Sequence, residues 1–330
     1  RYARSCVEIR NESGRKRCLE IVVSLPQNIS ERTAALQCIG TVCHCIGAKK
    51  RRAMAIHFNQ STIAPIITAD GVARQPLLNK QRVPDILFEL DRLTISPGGH
   101  KALTIAPGEL AWFHMIDGTA TIHTAGRELS VGASHIGLLP PSFEGSLVSD
   151  AGATLLLALV PNVERLDPAI STDPPPFRVI DWQDEPLLQS EHDARKRIYI
   201  VTPKMFGTRA IRGEMIIYPP GTECPAHHHR GGAHFMFFLA GQGICYAGAD
   251  QVMTVRSGDV IYYYDLEPHW VKGGADGDLI FSEFFVPSAV ATVWADPSKV
   301  CTWIPTGVNH RGSRPSRIIE KHAHSHLADV

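Results

Sequence analysis

Histidine side chains in the second half of the chain are grouped closely enough to bind a metal ion. His227, His228 and His229 are consecutive, His234 follows after a short gap, and His269 comes later. Imidazole nitrogen suits Zn, Cu, Fe and Ni, whereas Ca requires a cage of oxygen ligands. The cluster therefore predicts a transition-metal site and, with it, an enzyme.

Strand geometry divides the three consecutive histidines. Side chains at positions i and i+2 of a β-strand point to the same face, so His227 and His229 would project together and His228 would project away. A single histidine on an apolar strand is usually a hydrogen-bonded core residue. The prediction of a metal site therefore depends on the cluster and not on any one member.

The other two ligands would come from neighbouring strands. The glycine pair at 231–232 predicts a turn that returns the next strand antiparallel with His234, and a second hairpin would deliver His269. On the strand of His234, alternation sends Met236 and Phe238 toward the same cavity. We expect an apolar pocket with a few converging polar groups, the usual form of a small-molecule site.

The surrounding sequence is typical of an all-β fold. From about residue 84, short apolar runs alternate with Gly, Pro, Asp and Asn, as at residues 111–116, 154–160, 235–239 and 260–264. Consecutive prolines at 174–176 cannot lie in a central strand and favour an extended spacer, so we expect the domain boundary there. Both halves place a glycine turn after one strand, at Gly118 and Gly241, and a glycine before a later strand, which predicts a duplicated β unit.

Two motifs of the second half resemble the cupin superfamily. The first family motif is Gly, five residues, His-x-His, three or four residues, Glu, six residues and Gly. The chain matches it with Gly221, His227, His229 and Gly241, and has His234 in the place of Glu. The second motif, in which Gly-Asp begins a strand and Pro and His follow, is matched by Gly258, Asp259, Pro268 and His269. The resemblance implies a bicupin of two jelly-roll (double-stranded β-helix) domains over roughly residues 84–310, with the metal inside the open end of the second barrel.

The resemblance also implies roles for the site residues. His227, His229 and His269 are the expected ligands, and His234 is either a fourth ligand or an acid–base group. Because imidazole replaces a carboxylate at position 234, we expect one negative charge fewer around the metal and a stronger Lewis acid. Tyr263 is a second catalytic candidate, since its phenol could orient an oxygenated substrate.

Weaker candidates for the substrate pocket lie on two further strands. Alternation allows either Tyr263 or its neighbours Tyr262 and Tyr264 to face the pocket. Arg212 shares a strand face with Glu214, so it could form an internal ion pair or bind a substrate carboxylate.

The first half lacks metal ligands at the corresponding positions. Counting back from Gly118 by the spacings of the second half leads to Thr104, Ala106 and Ala111, and the equivalent of His269 falls near Phe143. The histidines of this half, His100, His114, His123 and His135, are out of register. We therefore expect a degenerate cupin that serves in structure or oligomerisation.

These signals divide the chain into four segments. Residues 1–53 are a basic, irregular N-terminal extension, residues 54–169 a degenerate cupin domain, residues 170–180 a Pro-rich linker, and residues 181–330 a metal-binding cupin domain with a polar, His-containing tail. The first methionine is Met54, so we expect the extension to be an upstream translated segment that is not native. A transit peptide is the competing interpretation, and the glutamates of the segment argue against it.

Composition narrows the partners and the location. With 33 basic and 33 acidic residues the formal net charge is zero, so no global field would recruit nucleic acid or an anionic membrane. No apolar run is long enough to span a membrane, and the N-terminus lacks the pattern of a secretory signal. We expect a cytoplasmic protein that acts on a small molecule and forms a homo-oligomer, because jelly rolls bury exposed edge strands.

Three function classes follow from the resemblance. The first is an Fe(II)-dependent dioxygenase, with one divalent metal per chain, that cleaves a C–C bond in a small hydroxylated aromatic or dicarbonyl substrate. The second is a non-redox enzyme (cyclase, isomerase, lyase or hydrolase) that uses Zn, Ni or Mn as a Lewis acid. The third is a regulatory protein that binds a small molecule, which the lack of a helix-turn-helix segment disfavours.

Overall fold

The computed structural model describes residues 2–10, 16–24, 54–299, 301–323 and 330, in two compact units, 1–53 and 54–330. In the first unit, β1 (Tyr2–Arg10) and β2 (Lys16–Ser24) pair antiparallel. This pair of strands is a regular element in a segment for which the sequence predicts an irregular extension. Residues 324–329 of the predicted polar tail lie outside the described residues.

The second unit consists almost entirely of β-strands, as predicted. Its first half contains β3 (Ile56–Asn59), β4 (Ile66–Ile67), β5 (Ala73–Leu78), β6 (Glu89–Ile95), β7 (Gly99–Thr104), β8 (Glu109–Thr124), β9 (Arg127–Gly132), β10 (His135–Leu139), β11 (Glu144–Ser149) and β12 (Ala153–Pro161). Its second half contains β13 (Arg178–Asp181), β14 (Pro186–Ser190), β15 (Lys196–Val201), β16 (Arg212–Tyr218), β17 (His227–Arg230), β18 (Ala233–Ala240), β19 (Gln242–Ala247), β20 (Gln251–Arg256), β21 (Asp259–Tyr263), β22 (His269–Gly273), β23 (Leu279–Val286), β24 (Ala291–Trp294), β25 (Thr302–Asn309) and β26 (His322–Ala323).

Helical structure in the second unit is limited to single turns. They are α1 (Pro203–Phe206) and the 3-10 turns Gln60–Thr62, Val163–Arg165, Pro168–Ser171 and Trp182–Asp184. Within the described part of the chain, no helix is long and apolar enough to cross a membrane.

Each half of the second unit is built from two antiparallel sheets. In the first half, one sheet has the order β13-β10-β8-β12-β6-β5-β4, while β7, β11 and β9 form the other sheet with the far end of the long strand β8. In the second half, one sheet has the order β26-β25-β14-β15-β16-β23-β18-β21-β3 and the other the order β20-β19-β22-β17-β24. This architecture confirms the predicted pair of jelly rolls.

The two halves exchange one strand each. β3 pairs with β21 in the sheet of the second half, and β13 pairs with β10 in the sheet of the first half. Both strands lie at the edge of the sheet that they join, where they cover backbone groups that would otherwise be unpaired. Strand pairing therefore crosses the boundary that we expect between the two cupin domains. The boundaries themselves stay predictions.

An apolar core lies between the two halves. Trp112 of β8 packs against Phe284 of β23, and Phe88 packs against Phe235 of β18, each pair with ring centroids 5.3 Å apart. Each barrel also has an apolar interior of its own. Because side chains alternate along a strand, every second residue of β18 and β21 faces the other half and the intervening ones face the barrel interior.

Two equivalent positions of the halves require glycine for the same reason. Gly118 lies inside the long strand β8 and not in the predicted turn, whereas Gly241 lies between β18 and β19. Gly118 and Gly241 have φ angles of +73° and +74°. A Cβ atom would lie 2.2 Å from the carbonyl oxygen of Gly152 at the first position and of Asp278 at the second. The shared glycine pattern therefore has a shared steric cause, as a duplicated unit requires.

The turn at 231–232 does not form the predicted hairpin. β17 lies in the sheet with β22 and β24, whereas β18 lies in the other sheet with β21 and β23. The turn carries the chain from one sheet to the other, because a jelly roll places these two consecutive strands in opposite sheets and pairs each with strands distant in sequence.

Candidate metal site

Four histidines meet inside the second barrel. Donor atoms of His227, His229 and His269 lie within 4.8 Å of one another, and so do donor atoms of His229, His234 and Glu283. Two nitrogens at about 2.1 Å from one metal are at most about 4.2 Å apart, so small side-chain rotations would bring either group to ligand distances. The donor set fits a divalent ion of the kind that imidazole prefers.

Both sheets of the barrel contribute to this cluster. His227 on β17 is opposite His269 on β22, as expected from strand pairing within one sheet. His234 on β18 belongs to the other sheet, and its ring centroid lies 4.7 Å from that of His229 and 4.8 Å from that of His269. The site therefore exists only where the two sheets face each other.

Hydrogen bonds orient three of the four imidazole rings. Nδ1 of His227 donates to the carbonyl of Pro225 at 2.9 Å, and Nδ1 of His269 donates to the carbonyl of Glu267 at 2.8 Å. Nδ1 of His229 forms a 3.1 Å hydrogen bond with a threonine hydroxyl of β24. When Nδ1 is engaged in this way, Nε2 carries the lone pair that a metal ion accepts.

Burial keeps the imidazoles neutral. Desolvation lowers the pKa of His227 to about 3 and lowers the pKa of His234 and His269 well below the ordinary 6.5. Nε2 of His269 and both ring nitrogens of His234 are buried without a hydrogen-bond partner among the described residues. A metal ion binds the neutral form of histidine and would satisfy such nitrogens.

A carboxyl group that the sequence did not predict lies beside His234. Oε1 of Glu283 on β23 is 3.2 Å from Nε2 of His234, without hydrogen-bond geometry between them. Burial and the neighbouring Glu214 raise the pKa of Glu283. The sequence led us to expect a site one carboxylate short, because His234 replaces the Glu of the cupin motif. The structure brings a carboxyl group to this position from the adjacent strand, and the expected charge around the metal stays a prediction.

A small cavity adjoins the histidines. The centre of a water-sized sphere can move through about 30 Å³ of it. Its walls include His227, His229 and Glu283, together with two arginines, Arg195 and Arg197. No spacing rule connects these arginines with the histidine motif, and only the strand order β15-β16-β23 brings them near the site.

Two tryptophans complete the wall of the cavity. The ring of Trp294 on β24 lies 4.9 Å from the ring of His227, and Trp303 on β25 lies beneath the guanidinium of Arg197 at 4.2 Å. Both follow the motif region in sequence, and the pairing of β24 with β17 and of β25 with β14 brings them back to it.

The predicted pocket residues on β18 and around β21 divide by strand face and by position along the strand. Met236 lines the cavity, whereas Phe238 is buried in the apolar interior of the barrel and does not. Tyr263 is buried with its ring stacked on that of His269, the centroids being 4.3 Å apart. Tyr262 points the opposite way, into the core between the halves, and Tyr264 contacts its ring at 5.2 Å. Alternation on β21 thus brings Tyr263 to the histidines and does not bring its two neighbours.

Arg212 forms the internal ion pair that the sequence allowed. Its Nε is 3.1 Å from Oε1 of Glu214, and Nε of Arg197 is 3.0 Å from Oε2 of the same carboxylate. All three side chains are buried. Arg212 does not line the cavity, so it is not placed to bind a substrate carboxylate there.

The first barrel has no comparable cluster among residues 54–169, the part of that half that the structure describes. Its interior is filled by apolar side chains, including Ala111 and Phe143 at positions that correspond to ligands of the second half. His114 is buried, but it lies on β8 between Ile136 and Leu156, away from any other ligand type.

Known proteins share this architecture. Residues 214–286 match the cupin domain family. A deletion mutant of Bacillus subtilis oxalate decarboxylase is similar over 87% of this chain and 89% of that chain, with a TM-score of 0.60 and 16% identity. The formate complex of Lactobacillus farciminis oxalate decarboxylase is similar over 73% of this chain and 88% of that chain, with a TM-score of 0.59 and 16% identity. Curated protein sequences give no significant match.

These findings confirm the predicted class. Residues 214–286 form a cupin domain, and the chain has the bicupin fold of the solved structures to which it is similar. At this level of identity the structural similarity describes the fold alone, so activity has to be argued from the residues of the site.

Proposed function

We propose that the second cupin is a metal-dependent enzyme that holds one divalent ion through His227, His229 and His269. The observation that carries the proposal is the meeting of buried imidazoles whose Nδ1 atoms are held by hydrogen bonds and whose remaining nitrogens converge. A buried polar atom without a partner costs about 1 to 3 kcal/mol, so apolar packing alone does not account for such a cluster. Neutral imidazole is the ligand of transition-metal ions.

His234 and Glu283 complete the proposed site. His234 is a fourth nitrogen donor from the second sheet, and Glu283 can hold a proton at the wall of the cavity. When bound, the ion would polarise a substrate oxygen as a Lewis acid. Tyr263 does not line the cavity, so we assign it to positioning the ring of His269 and not to contact with substrate.

Cleavage of a C–C bond is the reaction class that we propose. It has two forms in this site, an Fe(II)-dependent dioxygenase and a non-redox lyase that uses Fe(II), Mn, Zn or Ni. The similar solved structures are oxalate decarboxylases, whose name describes C–C cleavage in a small substrate, and this supports the lyase form.

The size of the cavity favours a small substrate. An engineered cavity that binds benzene has a volume of about 150 Å³. The cavity next to these histidines is several times smaller. We therefore favour an oxygen-rich substrate of a few heavy atoms, such as a dicarbonyl compound, over a hydroxylated aromatic ring.

Metal analysis followed by gas exchange tests the reaction class. Protein purified without added metal would be analysed for bound elements and then assayed for O2 uptake and CO2 release with small dicarbonyl compounds and phenols. Iron with O2 consumption supports the dioxygenase, and CO2 release without net O2 uptake supports the lyase. Failure to bind Fe, Mn, Zn or Ni after reconstitution contradicts both forms and favours a regulatory protein that binds a small molecule.

Adjacent histidines provide a matched pair of variants for the metal site. His229→Ala should lose the bound metal, because it removes the donor that both groups share. His228→Ala should keep full stoichiometry, because that side chain belongs to neither group. Equal metal content in the two variants, measured by elemental analysis, would show that the site is misassigned.

We also propose a homo-oligomer that works in the cytoplasm. Light scattering coupled to size-exclusion chromatography tests the oligomeric state, and a monomer at micromolar concentration would contradict it. Fractionation of cells that produce the protein tests the location.

A further inference from the structure

Two buried arginines line the cavity and belong to neither group of possible metal ligands. Arg195 is 4% exposed and Arg197 is 5% exposed, and both line the cavity with His227 and His229. Burying a guanidinium is costly unless the charge is paired, so charged groups are rare in the wall of a small cavity. Their place beside the histidines calls for a chemical explanation.

Ion pairs and ring contacts hold both guanidinium groups in place. Arg195 donates two hydrogen bonds to the carboxylate of Asp193, from Nε at 2.9 Å and from Nη2 at 2.6 Å. Nη2 also donates to a cysteine sulfur at 2.9 Å, and Nη1 takes no part in these contacts. Arg197 pairs with Glu214 through Nε and lies over the ring of Trp303. The two cations are therefore preorganised before any ligand binds, which reduces the entropy lost on binding.

Charge balance indicates the sign of the ligand. The guanidinium groups of Arg195, Arg197 and Arg212 pair with only two carboxylates, Asp193 and Glu214, so this buried network holds three cations and two paired anions. A divalent ion held by neutral imidazoles adds two positive charges to this buried network. A neutral substrate would leave that charge uncompensated, whereas an anion would balance part or all of it.

We propose that Arg195 and Arg197 form a carboxylate-binding subsite and that the substrate is a small carboxylate of a few heavy atoms. The inference rests on the proposed function, because it assumes a metal ion at the histidines. A guanidinium presents paired N–H donors that match the two oxygens of a carboxylate, which a single ammonium does not. The substrate is then held between the arginines and the histidine cluster, and the volume of the cavity limits its length.

Binding of isosteric probes tests the charge of the ligand. The zinc-loaded full chain would be titrated with acetate and with acetamide, which differ in charge but hardly in shape, and with sulfate and benzoate. Dissociation constants would be measured by ligand-observed NMR. We expect acetate to bind at least about tenfold more tightly than acetamide, which corresponds to one charge-assisted hydrogen bond, and more tightly than sulfate or benzoate. Equal binding of acetate and acetamide, or preference for sulfate, would overturn the proposal.

Arginine variants test the residues. Arg195→Lys and Arg197→Lys keep the charge and lose the paired donors, so each should weaken acetate binding about tenfold while acetamide binding stays the same. Arg127→Gln removes an exposed arginine of β9 and is the control, with binding as in the wild type. Wild-type affinity for acetate in both lysine variants would rule out the subsite. If one variant fails to fold, the other variant and the wild-type comparison of acetate with acetamide still decide the question.

Metal content separates this inference from the proposed function. A protein that takes up no metal would contradict the metal-dependent enzyme, whatever anions it binds. A protein that is fully loaded with zinc and does not distinguish acetate from acetamide would keep the metal site and exclude the carboxylate subsite.

Discussion

At position 234 the chain has an imidazole where the cupin motif has a carboxylate, and the carboxyl group stands on the neighbouring strand instead. Oε1 of Glu283 and Nε2 of His234 are 3.2 Å apart without a hydrogen bond between them, as expected for two ligand atoms directed at the same metal ion. The candidate metal site therefore keeps an acidic side chain, as the motif does, but carries it on a different strand.

Glu283→Gln should weaken metal binding about tenfold or more, because the amide keeps the shape of the side chain but cannot lose a proton to become the anionic donor that a metal ion binds. Competition with a chelator measures the affinity. Glu223→Gln is the control, since that side chain pairs with Lys272 where both are about half exposed. Unchanged affinity in Glu283→Gln would show that this carboxyl group does not act on the metal.

His114 makes stability depend on pH in a predictable direction. Burial lowers the pKa of His114 to about 3, and neither ring nitrogen has a hydrogen-bond partner among the described residues. Between pH 6.5 and pH 3 the unfolded chain binds the proton that the folded chain excludes, so the free energy of unfolding falls as the pH falls through 6.5.

Between pH 7 and pH 5 the free energy of unfolding of His114→Leu should fall by about 2 kcal/mol less than that of the wild type. Urea unfolding of both proteins at the two pH values measures the difference. The exposed His100→Leu is the matched variant in the same half. A pH dependence that is identical in wild type and His114→Leu would mean that His114 is protonated in the folded state.

At the scale of elements, turns and strand faces decide where the side chains go. β17 and β22 bring His227 and His269 together within one sheet, and β18 brings His234 from the other. The glycine turn after β18 fixes the end of that strand, since position 241 has both a positive φ and a carbonyl oxygen against it.

Gly241→Ala should destabilise the protein by at least about 2 kcal/mol more than Gly277→Ala. Both glycines have a positive φ, +74° and +71°, so both variants carry the strain of that conformation. Only at Gly241 would the new Cβ meet a backbone atom, at 2.2 Å, whereas nothing lies within 4 Å at Gly277. Chemical denaturation gives the two free energies, and equal values would refute the steric explanation.

At the scale of the whole molecule, the two jelly rolls share a core and exchange edge strands. The described residues of the first barrel include no group of possible metal ligands, yet Trp112 and Phe88 of that half pack against the strands that carry the histidines. The first barrel therefore packs against the back of the second.

Trp112→Ala should lower the free energy of unfolding by about 3 to 5 kcal/mol, because it empties a large buried volume between the halves. Ile318→Ala, at a side chain that is 86% exposed, should change it by less than about 0.5 kcal/mol. We expect calorimetry of the wild type to show one transition for residues 54–330, since the halves share their core. Two separate transitions would contradict this shared core.

Local rules account for much of the fold and part of the site. Strand alternation separated His228 from His227 and His229, and the glycine pattern indicated the duplication that Gly118 and Gly241 share. The same rules left Tyr262, Tyr263 and Tyr264 undecided and predicted a hairpin at 231–232 that does not form. Alternation says which residues share a face but not which face is inside, and turn signals do not say in which sheet the next strand lies.

By itself the sequence determined the β architecture and which histidines could meet, and it predicted a degenerate first half, because these depend on residue type and on spacing within a strand or a turn. Only the tertiary structure decided that Glu283 stands beside His234, that Arg195 and Arg197 line the cavity and that two tryptophans enclose it. These residues come from β15 and the residue before it, and from β23, β24 and β25, whose neighbours in the barrel are distant in sequence. The physical reason is that a jelly roll is assembled from long-range strand pairing and sheet packing, and no local spacing in the chain records either.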